Sequence, residues 1–213
     1  QRQMCIRDST TREYLNKVNK EIETNDLGLG YGVQWRAAGV SLKSIEEDYR
    51  GKGIDQLQEV IFLLKNDPNS RRIIINAWNV PSLKYMSLPP CHMCYQFNVR
   101  DKQFLNCMMT QRSADMFLGE PFNIASTAAL TIILANITNL KPGEIVINLG
   151  DAHIYKNHIN QVKEQLTRTP MKFPKLKINK KLEKIEDIEN LQFEDFILEN
   201  YHSWPSIKAE MAV

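Results

Sequence analysis

Leu88-Pro89-Pro90-Cys91-His92 leads into residues 93–99, a polar turn at Arg100-Asp101-Lys102-Gln103, residues 104–110, and then Gln111-Arg112-Ser113-Ala114-Asp115. Apolar and polar residues alternate on both sides of that turn, which predicts a β-hairpin with Cys91 at the mouth of its first strand. A cysteine beside a rigid Pro-Pro turn, with an arginine delivered nearby, suits a thiolate that must attack something while an anion is held next to it. The pattern points to a cysteine nucleophile and a phosphorylated substrate.

Outward from the hairpin, Arg71-Arg72-Ile73-Ile74-Ile75-Asn76-Ala77-Trp78 is β-branched and reads as a strand, and residues 80–90 read as a loop. Asp55, with Gln58 three residues on, opens a helix whose Leu57, Val60, Ile61 and Leu64 share a face, and Asp67-Pro68-Asn69 stops it. An earlier amphipathic helix is predicted over residues 11–23 from the Thr10/Glu13 capping box and from Tyr14, Leu15, Val18 and Ile22. Pro121 sits where a first helical turn tolerates it. Beyond it the residues are apolar on nearly every side until Asn139, which predicts a central, fully packed helix. Lys141-Pro142-Gly143 is expected to break that helix, followed by a strand over 144–149, a helix over 155–166, and short strands between Lys/Glu-rich turns. The expected fold class is α/β, a mixed β-sheet backed by helices.

The chain has 213 residues, 43% of them hydrophobic, and no Pro/Gly run or composition shift marks a linker, so one domain is expected. Residues 1–8 have neither helical nor strand periodicity and read as a non-native leader, with the catalytic domain at 9–213. A net charge of +2, from 27 basic and 25 acidic residues, is too balanced for a chain whose main task is coating nucleic acid. Four cysteines (Cys5, Cys91, Cys94, Cys107) without a secretory leader fit a reducing compartment, cytoplasmic by default, with nucleus or organelle as alternatives. The apolar stretch 124–137 is shorter than a bilayer span and is interrupted by Ser126, Thr127 and Asn136, so a buried helix is expected and no membrane partner.

Other readings of the same residues are weaker. Cys91 and Cys94 spell C-x-x-C, but a thioredoxin-type pair opens a helix, whereas a strand follows here, and no second pair has zinc-like spacing. No metal is expected, and Cys94 and Cys107 read as small core residues. His92 is poorly placed as the base for Cys91, because neighbours on an extended segment point to opposite faces. It reads as a supporting group behind the site. Arg71, Arg72, Arg112 and Ser113 are the anion candidates: arginine where a loop meets a strand suits bidentate phosphate recognition, and no Gly-rich phosphate loop competes. A nucleoside monophosphate follows as ligand. Lys172, Lys175, Lys177, Lys180, Lys181 and Lys184 alternate with Met171, Phe173, Leu176 and Ile178, which reads as the solvated face of an edge strand with at most weak RNA binding.

Taken together, these residues resemble the thymidylate synthase family. The likeness runs from Thr11-Arg12-Glu13-Tyr14-Leu15 through Tyr31-Gly32-Val33-Gln34-Trp35-Arg36, Asp67-Pro68-Asn69-Ser70-Arg71-Arg72, the Cys91 and Arg112 motifs, Gly119-Glu120-Pro121-Phe122-Asn123-Ile124-Ala125 and Gly150-Asp151-Ala152-His153-Ile154-Tyr155, to Met211-Ala212-Val213. Several ordered motifs are far more specific than any one.

The resemblance implies reductive methylation of dUMP to dTMP, with methylenetetrahydrofolate as one-carbon and hydride donor and as cosubstrate. Carbon 5 of uracil is a poor nucleophile until a thiolate adds at carbon 6, so Cys91 would create the enolate that attacks the folate's one-carbon unit. Arg112 would hold the phosphate and favour the ionised sulfur, within a substrate-binding run of Gln111, Arg112, Ser113, Ala114 and Asp115. Asn123 would read the uracil amide edge, His153 and Tyr155 would bind the ribose hydroxyl, and Tyr31 would join the proton-transfer network. The reduced folate would meet Asp115, Leu88, Leu118, Gly119, Phe122 and, at the closing C-terminal lid, Ala212. Arg71 and Arg72 would come from the partner subunit of a sheet-to-sheet homodimer.

Two departures stand out. Thr127 occupies a position where the family usually has tyrosine. The family's N-terminal segment, with a phosphate-binding arginine, a catalytic glutamate and a folate-packing tryptophan, has no counterpart in these residues, so they are expected to turn over slowly or not at all on their own. The alternatives carried are a dUMP/dCMP hydroxymethylase on the same scaffold and a catalytically idle folate- or RNA-binding regulator.

Overall fold

The computed structural model describes residues 28–40, 49 and 51–211. The helix predicted over residues 11–23, residues 1–8 that read as a leader, Ala212 and Val213 lie outside them.

A short helix, α1 (Tyr31–Ala37), comes first and was not legible in the sequence, because seven residues hold too few turns for a readable period. Tertiary contacts hold it instead. Arg36 in its last turn reaches Asp55 (Nε to Oδ2, 2.8 Å) and Glu189 (Nη1 to Oε1, 2.6 Å). Burial works against that guanidinium's charge, but bonds to Glu189 and Asp55 outweigh it and raise the pKa. The next helix, α2 (Gln56–Asn66), is the one expected: Asp55 Oδ1 accepts from the Gln58 N–H at 3.0 Å, and Leu57, Val60, Ile61 and Leu64 are buried.

The regular part of β1 (Ile74–Asn76) is shorter than the strand predicted over 71–78. Single bonds carry the pairing past both ends: the Ile73 carbonyl accepts from the Phe97 N–H at 2.9 Å, and the Ala77 N–H donates to the Met93 carbonyl at 2.8 Å. A 3₁₀ turn (Val80–Tyr85) lies in the expected loop. The hairpin is β2 (His92–Arg100) and β3 (Phe104–Asp115). Its tip places Asp101 at φ 52° and Lys102 at φ 57°, with the Gln103 N–H bonded to the Arg100 carbonyl. Positive φ at both central residues is the primed turn whose twist matches that of the flanking strands.

From β3 the chain crosses over through α3 (Glu120–Ile137) to β4 (Lys141–His153), which runs parallel to β3. The sheet order is β1-β2-β3-β4, with the first two pairings antiparallel, so the sheet is mixed and helix-backed as expected. Lys141-Pro142-Gly143 ends the helix by starting the strand. The Lys141 N–H donates to the Gln103 carbonyl at 2.7 Å, and Pro142 is tolerated because β4 is an edge strand. β4 also runs past the predicted end at 149 to His153.

Register assigns the two faces. Ile75, Tyr95, Met109 and Ile147 form one row across the four strands, and Phe97, Cys107 and Ile145 the next, and these rows pack with α2 and the end of α3 into the main core. Burying side chains of the size of Tyr95 and Phe97 contributes roughly 1.5–3 kcal/mol each. The other face carries the row Ile74, Gln96, Met108 and Val146, of which Val146 is 51% exposed. Cys107 lies in the core as expected, but Cys94 is half-buried on this outer face, because it shares the alternation of Gln96 and Asn98 and points opposite to Tyr95 and Phe97. Nor is α3 packed on all sides. Thr127, Thr131, Leu134 and Ala135 are buried, whereas Phe122 is 74% and Ile124 45% exposed, since only one side of the helix meets the sheet.

Beyond β4, a 3₁₀ turn (Lys156–His158) precedes α4 (Ile159–Leu166), so the helix predicted from 155 starts later. A small antiparallel sheet pairs β5 (Lys175–Ile178) with β6 (Phe196–Glu199), enclosing α5 (Ile185–Glu189) in sequence. Lys175 and Lys177 are exposed and Leu176 and Ile178 half-buried, the solvated face the alternation predicts. No helix among the described residues is long and apolar enough to cross a membrane.

Candidate active site

Strand directions gather the candidates at one end of the sheet. β2 begins where antiparallel β3 ends, and β4, parallel to β3, ends there too. His92 pairs with Gln111, Ser113 with Asp151, and Asp115 with His153. α3 then starts one short turn beyond Asp115.

Arg112 fastens the Cys91 loop to β3. Its Nη2 donates to the Pro89 carbonyl at 2.7 Å and its Nε to the Pro90 carbonyl at 3.1 Å, while its backbone N–H donates to the Cys91 carbonyl at 2.9 Å. Among the described residues this leaves three of the five guanidinium N–H groups for an anion. The Trp78 ring centroid lies 5.8 Å from the guanidinium carbon, a packing partner that sequence alone did not flag. On the other side, β4 comes close at Gly150, where a Cβ would sit 2.9 Å from the Arg112 carbonyl oxygen, so only glycine leaves β3 in place.

Cys91 is half-buried at the head of β2. His92 is turned away from it into an aromatic cluster: Nδ1 is 3.0 Å from the Tyr95 hydroxyl, and the ring packs on Tyr31 at 5.8 Å. This is the supporting placement expected for it. The Tyr31 hydroxyl accepts the His92 backbone N–H at 3.0 Å, which ties the first residue of α1 to the residue after Cys91.

Further along β3, Gln111 is fully buried; its Nε2 donates to the Ser113 carbonyl at 2.9 Å, and its Oε1 meets no partner among the described residues. Ala114 is fully buried as well and offers a ligand no side chain. Asp115 Oδ1 accepts from the Phe117 N–H at 3.1 Å and the Leu118 N–H at 3.4 Å, and its carbonyl accepts from Gly119, which shapes the turn into α3. Asn123 lies one turn into that helix, half-buried. At the end of β4, His153 Nδ1 is 3.1 Å from Asp151 Oδ1 and its ring stands edge-on to Tyr155 at 5.0 Å.

Leu88, in the Cys91 loop, and Phe122, in the first turn of α3, are exposed apolar side chains, 47% and 74% exposed. Leu118 and Phe122 also line an open cavity of about 640 Å³, with residues 201–207 among its other walls. Arg71 and Arg72 are apart from this group, exposed in the turn before β1 and unpaired among the described residues. Ala212 lies outside the described residues. Among those residues no cluster of His, Cys, Asp or Glu has the makings of a metal site. Glu120, at the start of α3, is 4% exposed, with Oε2 3.5 Å from Asn123 Nδ2. Sequence reasoning gave it no role, because a glutamate in a first helical turn is ordinarily a surface group facing the helix dipole.

The thymidylate synthase family model matches residues 4–213. The chain belongs to the thymidylate synthase family. It is 51% identical over 204 residues to the human thymidylate synthase, covering 95% of this chain and 64% of that protein. The thymidylate synthase of Saccharomyces cerevisiae is 47% identical over 212 residues, 95% of this chain and 69% of its own length. A bifunctional dihydrofolate reductase-thymidylate synthase of Zea mays is 48% identical over 206 residues, 39% of its length. The chain thus spans just under two thirds of the human relative.

Proposed function

We propose that this chain carries the nucleophile and the binding groups for reductive methylation of dUMP by methylenetetrahydrofolate, giving dTMP and dihydrofolate. The observation that carries this reading is Arg112, which holds the Cys91 loop by two proline carbonyls and keeps three donors for a phosphate beside the thiol.

The Cys91 thiolate adds to carbon 6 of the uracil, and the displaced π electrons pass to carbon 5 and its neighbouring carbonyl as an enolate. Carbon 5 then bonds to the one-carbon unit of the folate and loses its proton. Tyr31, whose hydroxyl accepts the His92 N–H, is assigned that transfer in this reading. Loss of that proton expels the folate nitrogen from the one-carbon unit and leaves a methylene group on carbon 5; hydride from the released tetrahydrofolate adds to this methylene as the Cys91 thiolate leaves carbon 6, giving dTMP, dihydrofolate and the free enzyme. Asn123 reads the base, His153 and Tyr155 the ribose, Gln111, Ser113 and Asp115 frame the nucleotide, and Ala114 contributes backbone only. Asp115, Leu88, Leu118, Gly119, Phe122 and Ala212 serve the reduced folate: the exposed apolar side chains suit a flat ring and the aspartate its N–H groups. A cytoplasmic setting goes with this reading. Nothing in the geometry favours the hydroxymethylase or the idle regulator.

The test follows both products. Tritium released from 5-tritiated dUMP should match the dihydrofolate formed, one for one. Release of tritium without dihydrofolate would point to water, not hydride, completing the reaction.

Homodimerisation through the outer sheet face belongs to the same proposal. Among the described residues the Ile74, Met108 and Val146 side chains on that face are apolar and exposed, and Arg71 and Arg72, unpaired among the same residues, lie just before that edge of the sheet. Mixing Cys91→Ala protomers with Arg72→Ala protomers should restore part of the activity, because each mixed dimer holds one site with neither defect. If verified heterodimers show no recovery, the arginines serve their own subunit.

A further inference from the structure

α3 is apolar over most of its length, yet Glu120, Asn123, Thr127 and Thr131 follow one another at helical spacing before Leu134 takes over the buried side. These residues are joined. The Asn123 carbonyl accepts from Ser126 Oγ at 3.1 Å and Thr127 Oγ1 at 2.8 Å, and the Thr127 carbonyl accepts from Thr131 Oγ1 at 2.8 Å. Thr127, which stands where the family usually has tyrosine, therefore secures the backbone of Asn123. The Asn123 N–H is taken by the Gly119 carbonyl at 3.1 Å. Only its side chain is left to be oriented, and the group beside it is the buried Glu120 carboxylate, 3.5 Å away.

An asparagine amide can face either way, exchanging oxygen for NH2. A carboxylate only accepts, so beside Glu120 the NH2 must turn towards it, and the flipped amide would set acceptor oxygens against each other. At 3.5 Å the contact is at the long end for a hydrogen bond. Charge–dipole attraction nevertheless persists at that distance in a medium of low dielectric. Burying a carboxylate is costly, so Glu120 is not a neutral occupant of this position.

We propose that Glu120 is a positioning residue that sets base specificity. By accepting one Nδ2 hydrogen it fixes the facing of the Asn123 amide, so that the other Nδ2 hydrogen meets a pyrimidine carbonyl and Oδ1 meets a ring N–H. Uracil presents that pair; cytosine presents the reverse. The inference rests on the proposed reading of Asn123 as the base-reading side chain.

The test compares dUMP with dCMP in the full-length protein and in its Glu120→Gln, Glu120→Leu and Asn123→Asp variants. It measures kcat and KM, dissociation constants of the nucleotides without folate, and the thermal midpoint. Glutamine can donate as well as accept, and leucine does neither, so both changes free the amide to flip. The preference for dUMP over dCMP should fall about tenfold or more, the scale of one charged hydrogen bond. The loss should appear mainly in KM and dUMP affinity, with the Glu120→Gln midpoint near that of the parent. A preference unchanged within about twofold in Glu120→Gln, or a loss that is the same for both nucleotides, overturns the proposal; Glu120→Gln decides should the leucine variant fail to fold. Asn123→Asp separates the two levels. If it shifts the preference while the Glu120 variants do not, only the role of Glu120 falls; if it too leaves the preference unchanged, the base is read elsewhere and both fall together.

Discussion

Replacing Cys91 by alanine should cost at least about 10⁴-fold in turnover, the scale seen when a covalent nucleophile is removed. The assignment is checked more directly with 5-fluoro-dUMP and methylenetetrahydrofolate, whose fluorine cannot leave as a proton and so traps the adduct. The trapped mass should sit on the Cys91 peptide. The three cysteines among the described residues are not equivalent. Burial pushes the Cys107 thiol up to about 12, with the neighbouring Thr131 hydroxyl working the other way. Only about one molecule in 10⁵ would then carry a Cys107 thiolate at neutral pH. Burial raises Cys94 too. Cys91 alone stands at the head of β2 with the Arg112 guanidinium bonded to the two residues before it. An adduct on Cys94 or Cys107 would overturn the mechanism.

Arg112→Ala should lower kcat/KM for dUMP at least about 10³-fold, because one side chain performs two tasks. It holds the Pro89 and Pro90 carbonyls, and in the proposed reading its remaining N–H groups hold the phosphate. Deoxyuridine, which has no phosphate, separates them: the penalty on deoxyuridine measures the loss of loop positioning, and the excess penalty on dUMP measures phosphate holding. Equal penalties would remove the phosphate from Arg112's role. Lysine should recover little, since a point charge does not reproduce the planar fork that reaches two carbonyls and an anion together.

Much of this arrangement was legible because it rests on short-range signals. The Asp55 cap, the stripe of Leu57, Val60, Ile61 and Leu64, and the alternation around Arg100–Gln103 each lie within a window that periodicity can read. What escaped depends on partners distant in sequence. α1 is held by Asp55 and Glu189, Lys141 is drawn into β4 by the Gln103 carbonyl, and the exposed start of α3 follows from which side of the helix meets the sheet. In the site, residue types announced Cys91 and Arg112, but that Arg112 spends two donors on Pro89 and Pro90 could come only from geometry. Glu120 escaped for a related reason: its burial is a property of its neighbours.

The primed turn between β2 and β3 has a bearing on the order in which the site comes together. Cys91 and Arg112 stand at the open end of a single hairpin, so one local zippering event, of a kind that takes microseconds in isolation, is enough to bring them alongside. Asn123 and His153 join only when β4 has crossed over α3 to lie parallel on β3, a step that must first close a much longer loop. The proposed nucleophile and anion holder are thus expected to form an early half of the site, and the proposed base- and sugar-reading groups a late half. Lesions in the crossover should therefore slow the gain of nucleotide selectivity during refolding more than they slow the appearance of a modifiable Cys91.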